Sequence, residues 1–168
     1  MNMLWWTLGV VGAAVVAVFA WWTLSPFFIT TTADEALPGV TQNEQEGQMS
    51  PEEPMQEPMP AAPRTVSTAS IVDTPAHPAE GTVRVVEADG TTYIRYENFK
   101  TLNGPDIFVY LSKDLEASEY INLGRVKATE GNVNYEIPAG VDVADYPYVL
   151  VWCRAFGVLF NSAYIGAQ

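Results

Sequence analysis

The distribution of apolar and polar positions divides the chain into three stretches. Residues 1–33 contain no Asp, Glu, Lys or Arg, and Leu4 to Ile29 form an almost continuous apolar run. A helix of about 20 apolar residues is long enough to cross the hydrocarbon core of a bilayer. Tryptophan pairs at Trp5-Trp6 and Trp21-Trp22 are typical of the two membrane interfaces. The pattern predicts a single transmembrane anchor within residues 1–33, in contact with the lipid bilayer through residues 4–29.

The second stretch, residues 34–74, is polar and acidic. It is rich in Pro, Glu, Gln, Ser and Thr and has few large apolar side chains. A segment of this composition buries too little apolar area to offset its loss of backbone entropy on folding. We therefore expect a disordered, acidic, Pro-rich linker over residues 34–74. No Lys or Arg flanks the apolar run, so orientation depends on this acidic segment, which favours a cytoplasmic N-terminus and a periplasmic or extracellular C-terminal domain.

The third stretch, residues 75–168, has the pattern of an all-β domain, in which short apolar runs alternate with turn residues. Residues 82–99 alternate around Asp89-Gly90, a dipeptide that accepts the positive φ angles of a tight hairpin turn. Five further strands are predicted at Ile107–Ser112, Tyr120–Val126, Val133–Ile137, Tyr148–Cys153 and Gly157–Asn161. Together with the two strands of the hairpin they make about seven, which predicts an antiparallel β-sandwich or a small barrel.

Alternation also predicts which side chains share a face of the sheet. The odd-numbered residues from Ile107 to Leu111 are expected on one face, with Phe108 and Tyr110 on the other. The run Tyr148–Cys153 is apolar at every position, which predicts a central strand that is covered on both faces.

Charge and cysteine content exclude several classes of function. The chain has 20 acidic and 8 basic residues, a formal charge of −12, and so repels phosphate backbones, which argues against nucleic-acid binding. A single cysteine, Cys153, excludes both an internal disulfide framework and a CxxC motif. No glycine-rich phosphate loop, HExxH or GxSxG motif is present, so the sequence assigns no enzyme class.

Three segments of the β region carry a family resemblance. They are GPDIFVYLS from Gly104, NLGRVKATEGNVNYEIP from Asn122 and VLVWCRAFGVLFNSAYI from Val149. In this combination the chain resembles the DM-thirteen (electron-transfer DM-thirteen) domain family, in its membrane-anchored bacterial type, from about His77 to Ile165. The resemblance implies a β-sandwich-like extracytoplasmic domain that takes part in electron transfer. It also implies that the family cysteine, here Cys153, acts as a bare thiol or holds a prosthetic group such as haem.

Cys153 is therefore the candidate redox thiol and a candidate cofactor ligand. A neighbouring cation lowers a thiol pKa, but on a strand Arg154 points to the opposite face and gives little help. The alternative is a small buried apolar residue, in keeping with the neighbouring Val149 and Val151.

His77, the only histidine, is the second candidate cofactor ligand. It would pair in space with Cys153, since His and Cys are the usual axial donors to haem iron. The alternative is a linker residue between two prolines. Two ligands so far apart do not form a metal motif, and no metal site is predicted. Asp106, in the turn-forming Gly-Pro-Asp, is expected to bind nearby backbone amides and to be structural.

Two functions remain open from the sequence. In the first, the domain is a periplasmic or cell-surface redox domain in which Cys153, alone or with His77, exchanges electrons with a separate redox or envelope protein or binds a cofactor. In the second, it is a non-catalytic interaction module of the cell envelope in which Cys153 is only packed. The exposure of Cys153 distinguishes the two functions, because an accessible thiol in a concave site favours a redox function and full burial favours the interaction module.

Overall fold

The structure is a computed structural model and describes residues 2–25, 29–40 and 62–166. It contains a helix, α1, over Asn2–Leu24, and a short 3-10 helix over Val143–Asp145. The strands described are β1 Thr32–Asp34, β2 Arg64–Ser70, β3 Val72–Asp73, β4 Ala79–Ala88, β5 Thr91–Thr101, β6 Ile107–Ser112, β7 Tyr120–Arg125, β8 Glu130–Glu136, β9 Tyr148–Cys153 and β10 Val158–Tyr164.

These strands form two five-stranded sheets. The first sheet has the order β1-β8-β5-β4-β2 and the second has the order β3-β10-β9-β6-β7. All described pairings are antiparallel except that of β1 with β8, which is parallel. Over the described residues, neither sheet closes on itself. The all-β prediction is confirmed as two open, mainly antiparallel sheets, with ten described strands where about seven are predicted.

The β4–β5 hairpin forms as the sequence predicts. Asp89 and Gly90 have φ angles of 50° and 76°, the left-handed conformation that a two-residue hairpin turn requires. Glycine adopts this conformation without steric cost, and Asp tolerates it better than most residues. The turn sets the register of the two strands, from Ala88 opposite Thr91 to Ala79 opposite Thr101.

One apolar core lies between the two sheets and positions the candidate site. The first sheet contributes buried residues such as Val85, Ile94 and Val133, and β6 contributes Ile107, Val109 and Leu111. A separate apolar cluster on the outer face of the second sheet contains Phe108, Tyr110 and Leu150. The predicted division of β6 into two faces is confirmed. The prediction that β9 is central is also confirmed, because β9 lies between β6 and β10 with apolar side chains on both faces.

The predicted disordered linker is wrong for residues 64–73. β2 pairs with β4 along the first sheet, and β3 pairs with β10 at the edge of the second. Most side chains of β2 and β3 are exposed, so these strands lack the apolar alternation that reveals a strand in a sequence. Their backbone hydrogen bonds to the neighbouring strands hold them instead. Residues 41–61 of the predicted linker lie outside the described residues.

The predicted membrane anchor is also wrong. In the part of the chain that the structure describes, no helix is long and apolar enough to cross a membrane. The predicted single-pass topology, and the localisation that depends on it, are therefore corrected.

Candidate functional site

Cys153 is the last residue of β9, and its side chain points into the core between the sheets. It lies opposite Ile107 of β6 and opposite Val158 of β10. The side chain has no solvent exposure and belongs to the same core cluster as Val149 and Val151. The spacing of two residues explains this orientation, because alternate residues of a strand face the same side. In this conformation, no partner molecule can touch the thiol.

The turn that follows Cys153 is exposed. Residues 154–157 connect β9 to β10, and the Gly157 amide donates to the Cys153 carbonyl at 2.9 Å to close the turn. Phe156 in this turn is 52% exposed although it is a large apolar residue. Gly157 has a φ of +62°, which suits glycine better than other residues. The buried thiol therefore lies one residue from a solvated turn at the end of its strand.

Arg154 points away from Cys153, as the sequence predicts. Its side chain lies on the outer face of the second sheet, where Nε donates to Asp106 Oδ2 at 2.9 Å. The Arg154 backbone amide also donates to the Asp106 carbonyl at 2.9 Å. The guanidinium is thus engaged on the face of the sheet opposite to Cys153.

His77 lies at the edge of the second sheet, beside β3 and β10. Its Nδ1 is 2.9 Å from the Thr74 hydroxyl, and that hydroxyl donates to the Phe160 carbonyl at 3.1 Å. The imidazole stacks on the Phe160 ring with 3.9 Å between ring centroids and 16° between planes. Partial burial lowers the pKa of His77, because desolvation disfavours the charged imidazolium. These contacts show a packed histidine that helps to cover the end of the core.

Phe160 is the aromatic residue on which His77 packs. It belongs to the same core cluster as Cys153, and its ring stacks on the His77 imidazole. Gly104 lets the ring approach, since a Cβ there would lie 3.0 Å from Phe160 Cζ and 2.8 Å from Ile107 Cγ2. Within the described residues, the contacts of His77 are to Thr74 and Phe160, and none joins it to Cys153. The structure therefore does not bring Cys153 and His77 together as a ligand pair.

A haem does not fit these residues as they stand. An axial ligand must present its donor atom to open space large enough for a macrocycle. The Cys153 side chain is instead enclosed in the apolar core, and the His77 ring is covered on one side by Phe160. Among the described residues, no group of three or more His, Cys, Asp and Glu side chains is placed to hold a metal ion. We therefore derive no step through a prosthetic group.

Sequence reasoning missed a charged and aromatic group on the outer face of the second sheet. We call Asp106, Phe108, Arg125 and Arg154 the outer cluster. Asp106 Oδ1 accepts from Arg125 Nη2 at 2.5 Å, in addition to its bond with Arg154. Both guanidinium groups lie over the Phe108 ring, with 4.3 Å from Arg154 Cζ to the ring centroid and 5.1 Å from Arg125 Cζ. The sequence predicts that the Asp106 carboxylate binds nearby backbone amides, but its described bonds are to two arginine side chains, and the Asp106 backbone carbonyl accepts the Arg154 amide.

Next to the outer cluster, two tyrosines stack across neighbouring strands. Tyr110 of β6 and Tyr120 of β7 have ring centroids 4.1 Å apart and planes inclined by 15°. Burial, together with the neighbouring Tyr120, raises the pKa of Tyr110 to about 12. Tyr120 is 43% exposed. The alternation of β6 signals that Tyr110 faces outward, but the stacking depends on the register between β6 and β7, which the sequence does not reveal.

Comparison with known proteins gives a family match. A family model described as "Electron transfer DM13" matches residues 71–165, which is more than half of the chain and includes both His77 and Cys153. No curated protein and no solved structure gives a significant match. The matched region runs from just before β3 to just after β10 and so takes in most of both sheets. The chain therefore belongs to the electron-transfer DM13 family.

Proposed function

We propose that this domain exchanges electrons with a separate protein through the thiol of Cys153. The observation that carries the proposal is the family match over residues 71–165, which contains the only cysteine of the chain. With no second thiol, the domain cannot form an internal disulfide. Its oxidised form is then a disulfide with the partner.

The chemistry balances without an added oxidant. The Cys153 thiolate attacks one sulfur of a disulfide in the partner, a new S–S bond forms, and the other partner sulfur leaves as a thiolate. A thiolate of a second, dithiol partner then attacks the Cys153 sulfur and releases the first partner as its dithiol. The other thiolate of the second partner attacks the new mixed disulfide, releases the Cys153 thiolate and closes a disulfide in the second partner, so two electrons pass from the second partner to the first. The partner class is accordingly a protein with a reactive dithiol or disulfide.

Full burial of Cys153 requires an opening step before this exchange. The exposed turn at residues 154–157 and the exposed start of β10, where Val158 is 38% accessible, offer the smallest opening. Local opening of a strand end costs less than global unfolding, because few buried contacts are lost. Access to the thiol is then controlled by the β9–β10 turn.

Two glycine variants test this opening in the full chain. Gly157 and Gly140 have φ angles of +62° and +84°, and a Cβ at either position meets no atom within 4 Å. Alanine in a left-handed conformation costs about 1 kcal/mol at each, without a clash. Gly157→Ala is expected to raise the native-state labelling rate of Cys153 by about fivefold. Gly140→Ala, in the loop between β8 and the 3-10 helix, is expected to leave that rate unchanged.

The second candidate function is a binding module in which Cys153 is structural. The observation that favours it is the complete burial of Cys153 in the apolar core. If both glycine variants accelerate labelling equally, the thiol is reached only through global unfolding. That result would replace the redox proposal with the binding module.

A further inference from the structure

The outer cluster lies at the same end of the second sheet as the candidate thiol. Cys153 is opposite Ile107 of β6, the residue after Asp106. Arg154 follows Cys153 directly and binds Asp106 through both its backbone amide and its side chain. Arg125 of β7 donates to the Asp106 carboxylate as well. Two cationic side chains are therefore fixed on the outer face of the strand end that carries the thiol.

This end of the second sheet is more basic than the chain as a whole. Three segments meet there, residues 102–108, 122–126 and 150–159. They contain Arg125, Arg154 and one acid, Asp106, whereas the whole chain has a formal charge of −12. The side chains of Arg125 and Arg154 are 62% and 56% exposed, while that of Asp106 is 16% exposed. The outer cluster therefore presents two guanidinium groups to solvent and covers the single carboxylate that they share.

Apolar side chains surround this basic surface. Phe156 in the β9–β10 turn and Val158 at the start of β10 are exposed. Trp152 and Leu159 are half-buried and pack against Phe108 and its neighbours on the outer face. Aromatic residues and arginine are the types that protein interfaces and their hot spots favour. The composition of this surface is thus typical of a site that binds another protein.

We propose that the outer cluster and the β9–β10 turn form the docking surface for the redox partner of Cys153. The partner presents carboxylate side chains and an apolar residue beside its disulfide. Its carboxylates pair with the guanidinium groups, which suit them in geometry as well as charge, and its apolar residue packs on Phe156. A partner docked here lies beside Cys153 when the turn opens. Complementary charge speeds the encounter and excludes basic partners. This inference rests on the thiol exchange proposed above.

The test uses short peptide disulfides as probes of the partner. They are disulfide-linked dimers of the blocked tripeptides Phe-Cys-Glu, Phe-Cys-Gln and Phe-Cys-Lys. Mass spectrometry measures the rate at which each forms a mixed disulfide with Cys153 in the folded full chain. The salt concentration is about 0.15 M, where charges more than about 8 Å away are largely screened. The Glu dimer is expected to react about fivefold faster than the Gln dimer, and the Lys dimer is expected to be the slowest.

Charge variants locate the effect. Arg125→Gln and Arg154→Gln are each expected to lower the Glu-to-Gln rate ratio about twofold, and the double variant to bring it close to one. Asp106→Asn removes the opposing carboxylate and is expected to raise the ratio. The control is Arg64→Gln, which removes an exposed arginine of β2 that pairs with Glu87 on the first sheet, and it is expected to leave the ratio unchanged. Comparing two probes on the same variant cancels any change in the opening of the turn.

Phe156→Ala tests the apolar part of the surface. The Phe-Cys-Gln dimer is expected to react faster than an Ala-Cys-Gln dimer, and Phe156→Ala is expected to remove that difference. A Glu-to-Gln ratio that the arginine variants leave unchanged, or that Arg64→Gln lowers equally, would overturn the docking surface while the thiol exchange stands. If no probe reacts with the folded protein, the thiol exchange itself fails, and this inference fails with it.

Discussion

Replacing Gly131 with alanine is expected to detach β1 from the edge of the first sheet. Gly131 lies opposite Ala33 in the parallel β1–β8 pair and has a φ of +110°. A Cβ at this position would overlap the Ala33 carbonyl oxygen, which is a backbone atom and cannot rotate away. β1 must therefore move away from β8 to accept any side chain at residue 131.

The cost of this movement can be worked from the bonds that are lost. The Thr31 carbonyl accepts the amides of Thr129 and Glu130 at 2.8 Å and 3.1 Å, and the Glu35 amide donates to the Asn132 carbonyl at 2.8 Å. At about 0.5–1.5 kcal/mol net for each, the three bonds contribute about 1.5–4.5 kcal/mol. The backbone entropy regained by residues 31–36 offsets part of this loss, so we expect a net cost of about 1–3 kcal/mol from detachment.

Gly124→Ala is a matched control. Gly124 has a φ of +117°, close to that of Gly131, but a Cβ there meets no atom within 4 Å. Both variants carry the strain of a left-handed alanine, and only Gly131→Ala carries the clash. Urea unfolding of the full chain should therefore show Gly131→Ala to be less stable than Gly124→Ala by about 1–3 kcal/mol.

Amide hydrogen exchange locates the effect. In Gly131→Ala, the amides of Glu35, Thr129 and Glu130 are expected to lose protection, while amides of the central strands β4 and β5 keep theirs. Equal stability of the two variants, with these three amides still protected in Gly131→Ala, would refute the conclusion that β1 pairs with β8 only because residue 131 has no side chain.

Two further predictions concern buried polar contacts and pH. Asn161 Nδ2 donates to Thr101 Oγ1 at 3.0 Å, a buried bond that joins β10 to β5 across the two sheets. Thr101→Val leaves the Asn161 amide unpaired and is expected to cost about 1–3 kcal/mol in urea unfolding, whereas Thr68→Val at an exposed position changes stability by less than about 0.5 kcal/mol. Burial lowers the pKa of His77 in the folded protein below the unfolded value of about 6.5. Between these two pKa values the unfolded chain binds more protons than the folded one. The free energy of unfolding therefore falls as the pH drops from about 7 through 6.5 toward the folded-state pKa. His77→Gln should flatten this part of the stability profile, and an unchanged profile would show that His77 does not titrate differently on folding.

The strands that the sequence predicts well are those that bury one or both faces. Alternation in β6 places Ile107 and Phe108 on opposite faces, and the structure has both there. The turn at Asp89-Gly90 is predicted from local backbone chemistry alone. Both signals are local, so they need no knowledge of the neighbouring strands.

The elements that the sequence misses are held by distant partners. β2 has mostly exposed side chains, and its backbone bonds go to β4, so no apolar pattern marks it. β1 depends on Gly131, about a hundred residues later in the chain, and nothing near β1 indicates that contact. Composition alone assigns such segments to linkers, because it measures apolar content and not backbone pairing.

For the same reason, the sequence predicts only part of the candidate site. The sequence identifies Cys153 and leaves its burial undecided, since burial depends on how the second sheet packs on the first. The stacking of His77 on Phe160, like the joining of Asp106 to Arg125 and Arg154, arises from strand neighbours that are distant in sequence. Only the outward direction of Arg154 follows from strand alternation alone.

The most direct test of the redox account is the labelling rate of Cys153 in the native full-length protein as a function of urea concentration. Local opening at the β9–β10 turn exposes little surface, so the rate should be nearly independent of urea until close to the unfolding midpoint. If access required global unfolding, the logarithm of the rate would rise linearly from zero urea with the slope of the equilibrium unfolding transition. That second result would contradict the proposal that Cys153 reacts from the folded domain.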